Sequence, residues 1–173
     1  MTTTFHKEIE RAFILKEDIS QKYNAWTRCI SDIYFGKYIR VRRLMHPTIF
    51  TKSYILTIKF DTDLKYEREE YEWDIPAWLG KFLFKYMPKQ MHKERTFYTL
   101  PANGRTYTFE VNKYLNRGGY LKGLVEIEFY SERYANDFNP NDFPFLGQEV
   151  TGIPTYRNYN LFRTCKRGVK WHA

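Results

Sequence analysis

Arg68-Glu69-Glu70-Tyr71-Glu72-Trp73-Asp74-Ile75 decides the fold. Residues i and i+2 of a strand share a side while i+1 points away. Arg68, Glu70, Glu72 and Asp74 therefore fall on one face, with Tyr71, Trp73 and Ile75 on the other. Carboxylates repeated at this spacing repel one another unless cations lie between them, so the pattern is poor design for an ordinary wet surface.

The arrangement recurs on both sides of this segment. Glu8 and Glu10 share a face against Ile9 and Phe13, and Glu126 and Glu128 share one against Val125, Ile127 and Phe129. Basic strands alternate with these acidic ones: Arg40 and Arg42 oppose Ile39 and Val41, Lys59 sits beside Thr57, and Lys93 beside Arg95. A half-exposed antiparallel sheet would send such charged faces into water. Three separate E-x-E strands favour closure into a barrel instead, whose lumen holds hard metal ions on carboxylates and phosphate oxygens on Arg and Lys, with helices covering the apolar faces outside.

The period-two pattern predicts strands near 6–14, 34–43, 53–60, 67–75, 93–99, 106–113 and 123–130. Asn103-Gly104 suits a tight primed turn between the fifth and sixth. Ile19, Tyr23, Trp26 and Ile30 fall at helical spacing and predict a helix over 18–30. Pro76 suits the first turn of another over 76–87, and Ser131 caps a third over 131–138. No repeat or linker divides the chain, so a single domain over residues 1–173 is expected, with its core at about 6–161 and a solvated basic tail at 162–173.

The bulk composition agrees. A length of 173 residues with 43% hydrophobic content supports a core without disulfides or a structural metal. Cys29 and Cys165 form no C-x-x-C pair, which predicts free thiols and a reducing compartment. No charged leader or membrane-length apolar run is visible, so a cytoplasmic protein that does not engage the membrane is expected. A net charge of +8 favours an anionic partner. No P-loop or dinucleotide fingerprint occurs. His6, His46, His92 and His172 lack the spacing of a metal cluster or triad, and each is expected at the surface or in a turn.

Taken together these residues resemble the CYTH superfamily, the triphosphate tunnel metalloenzymes, from His6 to about Leu161. His6-Lys7-Glu8-Ile9-Glu10-Arg11 is similar to the E-x-E-x-K signature strand. Tyr38-Ile39-Arg40-Val41-Arg42-Arg43 and Ile55-Leu56-Thr57-Ile58-Lys59 are similar to its basic strands, Arg68-Glu69-Glu70-Tyr71-Glu72 to its central acidic strand, and Lys93-Glu94-Arg95 to its later basic one. Gly123–Phe129, Phe145–Gly152 and Tyr156–Leu161 complete the order.

The resemblance implies an α+β fold, an eight-stranded antiparallel β-barrel tunnel with helices packed outside, and Mg²⁺ or Mn²⁺ as cofactor. It implies that Glu8, Glu10, Glu126 and Glu128 are catalytic, holding metal or orienting water, with Glu70 and Glu72 as further metal ligands. Arg40, Arg42, Lys59, Arg68, Lys93 and Arg95 would grip phosphate. Two positions depart from the family pattern: Ala12 stands where the signature has lysine, and Asn112 where relatives commonly have Asp. The leading expectation is hydrolysis of a phosphoanhydride in a triphosphate-bearing or nucleotide-like ligand by a monomer or homodimer. The alternative is a catalytically impaired protein that sequesters a nucleotide or cyclic oligonucleotide, which Ala12 and Asn112 favour. Nucleic-acid binding by the basic surface is a third.

Overall fold

A computed structural model describes residues 3–19, 22–45, 52–64, 66–116 and 123–166 of the chain. The strands are β1 (Thr3–Leu15), β2 (Ala25–Phe35), β3 (Ile39–Met45), β4 (Lys52–Asp61), β5 (Glu67–Asp74), β6 (Met91–Ala102), β7 (Arg105–Tyr114), β8 (Leu124–Phe129) and β9 (Leu146–Glu149). The helices are α1 (Ala77–Tyr86), α2 (Glu132–Asp137) and α3 (Asn158–Thr164). The sheet runs β5-β4-β3-β2-β6-β7-β8-β1, and the pairing of β1 with β5 closes it into an eight-stranded antiparallel barrel. β9 adds a short ninth strand, opposing Phe13 and Leu15 of β1 beyond the β5 contact. The three helices pack outside.

The apolar core also lies outside the ring. The outward side chains Phe13, Phe109, Val125 and Ile127 are covered by Ala135 of α2 and by Phe138, Phe143 and Phe145 of the segment that follows. Elsewhere Phe84 of α1 packs on Ile33, Val41 and Tyr54, and Leu161 and Phe162 of α3 pack on Met91. Turning the apolar faces outward leaves every second residue, the charged set, facing inward.

The turn at Asn103-Gly104 is left-handed at both residues, with φ of 51° and 72°, as a primed hairpin requires. Ser131 accepts a hydrogen bond from the Tyr134 amide and caps α2. The helix expected over 18–30 is a correction: Ala25 to Phe35 form β2. β-branched and aromatic residues from Thr27 onward, paired on both edges, override a helical spacing carried by four residues. The strand expected over 34–43 is in fact the end of β2, a turn and the start of β3, with Gly36 supplying φ of 79° at the turn. The core runs past Leu161, since Phe162 and Cys165 are buried.

His92 is not at the surface. It is 2% exposed, and its Nδ1 lies 3.0 Å from the Ser31 hydroxyl. His6 lies within β1, 3.4 Å from Glu70; His46 and His172 fall outside the described residues. Both cysteines are free thiols. Among the described residues no helix is long and apolar enough to cross a membrane.

Candidate active site: a charged lumen

The inward faces of all eight barrel strands enclose a cavity of about 280 Å³. Of the residues expected to act, Glu8, Glu10, Arg40, Arg42, Lys59, Arg68, Glu70, Glu72, Arg95, Glu126 and Glu128 line it. Lys93 alone does not. Its side chain is fully buried, 3.9 Å from Asp32, and it donates to Asn158 at 3.4 Å.

Register explains the interdigitation of charge. β4 against β5 sets Lys59 opposite Glu70, and Lys59 donates to Glu8 at 2.6 Å and meets Glu70 at 2.9 Å. Arg40 donates to Thr57 at 3.0 Å and to Glu70 at 3.4 Å. Across the lumen Arg95 pairs with Glu110 and donates to Glu126 at 2.7 Å and to Asn112 at 2.8 Å. Asn112 in turn donates to Glu126 at 2.8 Å. Along β1 and β8, however, acid meets acid, with Glu10 opposite Glu128, while Ala12 stands opposite Glu126.

α3 enters this network from one end. Asn158, at its first turn, donates to Glu126 at 3.1 Å and accepts from the Tyr114 hydroxyl at 3.0 Å. Just before it, Arg157 donates to Asp61 at 2.8 Å, and Lys37 holds the other side of that carboxylate at 2.6 Å. Two buried polar atoms of residues in the cavity wall, the Tyr34 hydroxyl and Arg40 Nε, have no hydrogen-bond partner among the described residues.

No family model matches the chain. Over 172 residues it is 31% identical to the inorganic triphosphatase of Acetivibrio thermocellus, covering 95% of this chain and 98% of that protein. The chain belongs to the inorganic triphosphatase family. A conserved hypothetical protein from Pyrococcus furiosus, 24% identical, superposes with a TM-score of 0.50 over 75% of this chain and 82% of that one, a likeness of fold.

In this member of the triphosphatase family the acidic groups fall into two electrostatic classes. Burial raises Glu8, yet Lys59, Arg68 and Arg40 together overcome it and hold the carboxyl well below the ordinary carboxylate range. Burial also opposes ionisation of Asp32, and Arg42, donating at 2.8 and 3.1 Å, outweighs it with help from Lys93. Glu126 is likewise held down, against burial, by Arg95 and Lys93. Glu10 moves the other way: burial, then Glu126 and Glu8, push it well up. Glu128 is raised by burial and by Glu8. Lys93 is pulled down to about 7 by burial and by the Arg95 and Arg42 charges. Among the described residues no three acidic or imidazole groups are gathered closely enough to hold a metal ion as they stand.

Sequence reading missed Asp32, Asp61, Glu110, Arg157 and Asn158. Asp32 was hidden because the strand that carries it was expected to begin only at residue 34. Glu110 was legible, since it alternates with Asn112 on β7. The roles of Asp61, Arg157 and Asn158 depend on β4 and α3 meeting at one end of the barrel, for which no local pattern exists.

Proposed function

We propose that the chain is a CYTH-type tunnel hydrolase that cleaves the terminal phosphoanhydride of a triphosphate-bearing ligand inside the barrel, with a divalent ion, Mg²⁺ or Mn²⁺, held by carboxylates. The observation that carries this is the single cavity in which eleven of the twelve expected site residues meet. Membership of a family with an inorganic triphosphatase supports the reaction class. The Arg and Lys side chains of the cavity wall suit an anion.

The donor set fits a hard divalent ion. It is all oxygen, and the wall carries seven Lys or Arg side chains against eight carboxylates, so a polyanion added to it needs a cation of its own. Glu126 and Glu128 on β8 would hold the ion, with Glu8, Glu70 and Glu72 adjoining, which leaves Glu10 to the attacking water. When bound, the ion would polarise phosphate oxygens and lower the pKa of water. Arg40, Arg42, Lys59, Arg68 and Arg95 orient the polyphosphate and offset charge as it moves to the leaving oxygen. Water attacks the terminal phosphorus, the bridging P–O bond breaks, and orthophosphate leaves a diphosphate-bearing product. Glu10, whose proton affinity burial and its acidic neighbours raise, takes the proton from water.

The test is phosphate release from tripolyphosphate with Mg²⁺ or Mn²⁺ and with a chelator. Glu126→Gln should lower kcat by about a hundredfold or more while circular dichroism stays native. A second reading, a sequestering protein, is favoured by Ala12, which leaves no cation opposite Glu126. It predicts ligand recovered intact after prolonged incubation with metal.

A further inference from the structure

The barrel end at which β1 begins is also where β2 begins and β6 ends, and there the inward face changes character. Trp26 and Phe97 are directly opposed across β2 and β6, and their rings stack 3.9 Å apart at an interplanar angle of 7°. The Arg28 guanidinium lies 4.6 Å from the Trp26 ring centre. Trp26 is 47% exposed. Among the described residues Arg28 has no carboxylate partner, although its strand neighbour Arg95 has two.

Position ties this platform to the lumen. Arg28 is opposite Arg95, and Phe97 is opposite Glu110, with both Arg95 and Glu110 in the cavity wall. Phe97 follows Arg95 by two residues on the same face, an advance of about 7 Å along the strand. An aromatic surface with a free cation, one step outward from a phosphate-gripping arginine, has the composition of a base-stacking platform.

We propose that Trp26, Phe97 and Arg28 form a subsite for the planar base of a nucleoside triphosphate whose phosphates lie in the lumen, so that the preferred substrate is a nucleotide and not bare tripolyphosphate. This rests on the lumen being the polyphosphate site. The competing aromatic is Tyr38 at the opposite end, which lines the cavity with Phe60 beside it at 6.1 Å; it differs from Trp26 in its cation, since Lys37, 4.7 Å from the Tyr38 ring centre, is already neutralised by Asp61.

The test measures ATP and tripolyphosphate side by side, by calorimetry and steady-state kinetics with Mg²⁺ or Mn²⁺. The unmodified protein should bind ATP at least about tenfold tighter than tripolyphosphate, a ratio that needs no variant to fold. Trp26→Ala should raise Kd or KM for ATP on the order of tenfold and leave the tripolyphosphate values within about twofold, and Trp26→Phe should recover most of the loss. Equal affinities in the unmodified protein, an equal loss for both ligands in Trp26→Ala, or an ATP-specific loss in Tyr38→Ala but not in Trp26→Ala would each overturn the subsite. Failure of the unmodified protein to bind either ligand would instead remove the lumen assignment itself.

Discussion

Glu126 touches Arg95, Asn112 and Asn158 at once, yet the residue directly across from it on β1 is Ala12. Alternation alone made Glu126, Glu10 and their partners legible as one charged set, because side-chain direction in a strand follows from position. What alternation could not convey is depth: Lys93 shares its face with Arg95 and is still fully buried, outside the cavity lining. The gap at Ala12 makes a test. Ala12→Lys would place an ammonium opposite Glu126 and next to Glu10, where the two carboxylates now raise each other's energy. It should increase kcat for tripolyphosphate by about tenfold or more and draw the acidic limb of the pH profile toward lower pH as Glu10, the base, loses proton affinity. An unchanged or lower rate in a folded variant would mean that Arg68, 3.4 Å from Glu10, already supplies the needed charge.

Among the elements, those with local punctuation were readable. Pro76 and Ser131 marked α1 and α2, and Asn103-Gly104 marked the turn between β6 and β7. β2 was misread because Trp26 and Ile30, with Ile19 and Tyr23 before the strand, happen to fall at helical intervals, and only pairing with β3 and β6 decides the matter. β9 and α3 are too short to carry a periodic signal and form because β1 and Met91 offer surfaces to cover. α1 shows how closely such cover is fitted. A Cβ at Gly80 would stand 2.2 Å from Cγ of Tyr54, a ring buried beneath the helix. Gly80→Ala adds helix propensity of about 1 kcal/mol, but overpacking should outweigh it. Denaturant unfolding should show a net loss of about 1–2 kcal/mol, and a stabilised variant would mean that the ring moves aside freely.

For the whole molecule, an external apolar core permits a lumen built almost wholly of ions, and the balance inside it couples stability to proton and ligand. Lys93 is the sensitive point, because its folded-state value of about 7 lies below the value of about 10.4 of an unfolded chain. Between these limits the unfolded chain carries a proton that the folded protein lacks, so this group makes stability rise with pH, by up to about 1.4 kcal/mol per unit. Below about pH 7 both states are protonated and the slope from this group vanishes. Lys93→Met should therefore flatten the stability profile between pH 7 and 9. Polyphosphate acts on the same equilibrium, since an anion seated against Arg42 and Arg95 offsets the two charges that depress Lys93. Binding at pH 8 should then take up protons, visible as an apparent enthalpy of binding that changes with the ionisation enthalpy of the buffer. In Lys93→Met that dependence should shrink or disappear, whereas a buffer-independent enthalpy in the unmodified protein would show that the lumen ligand does not sense the buried lysine.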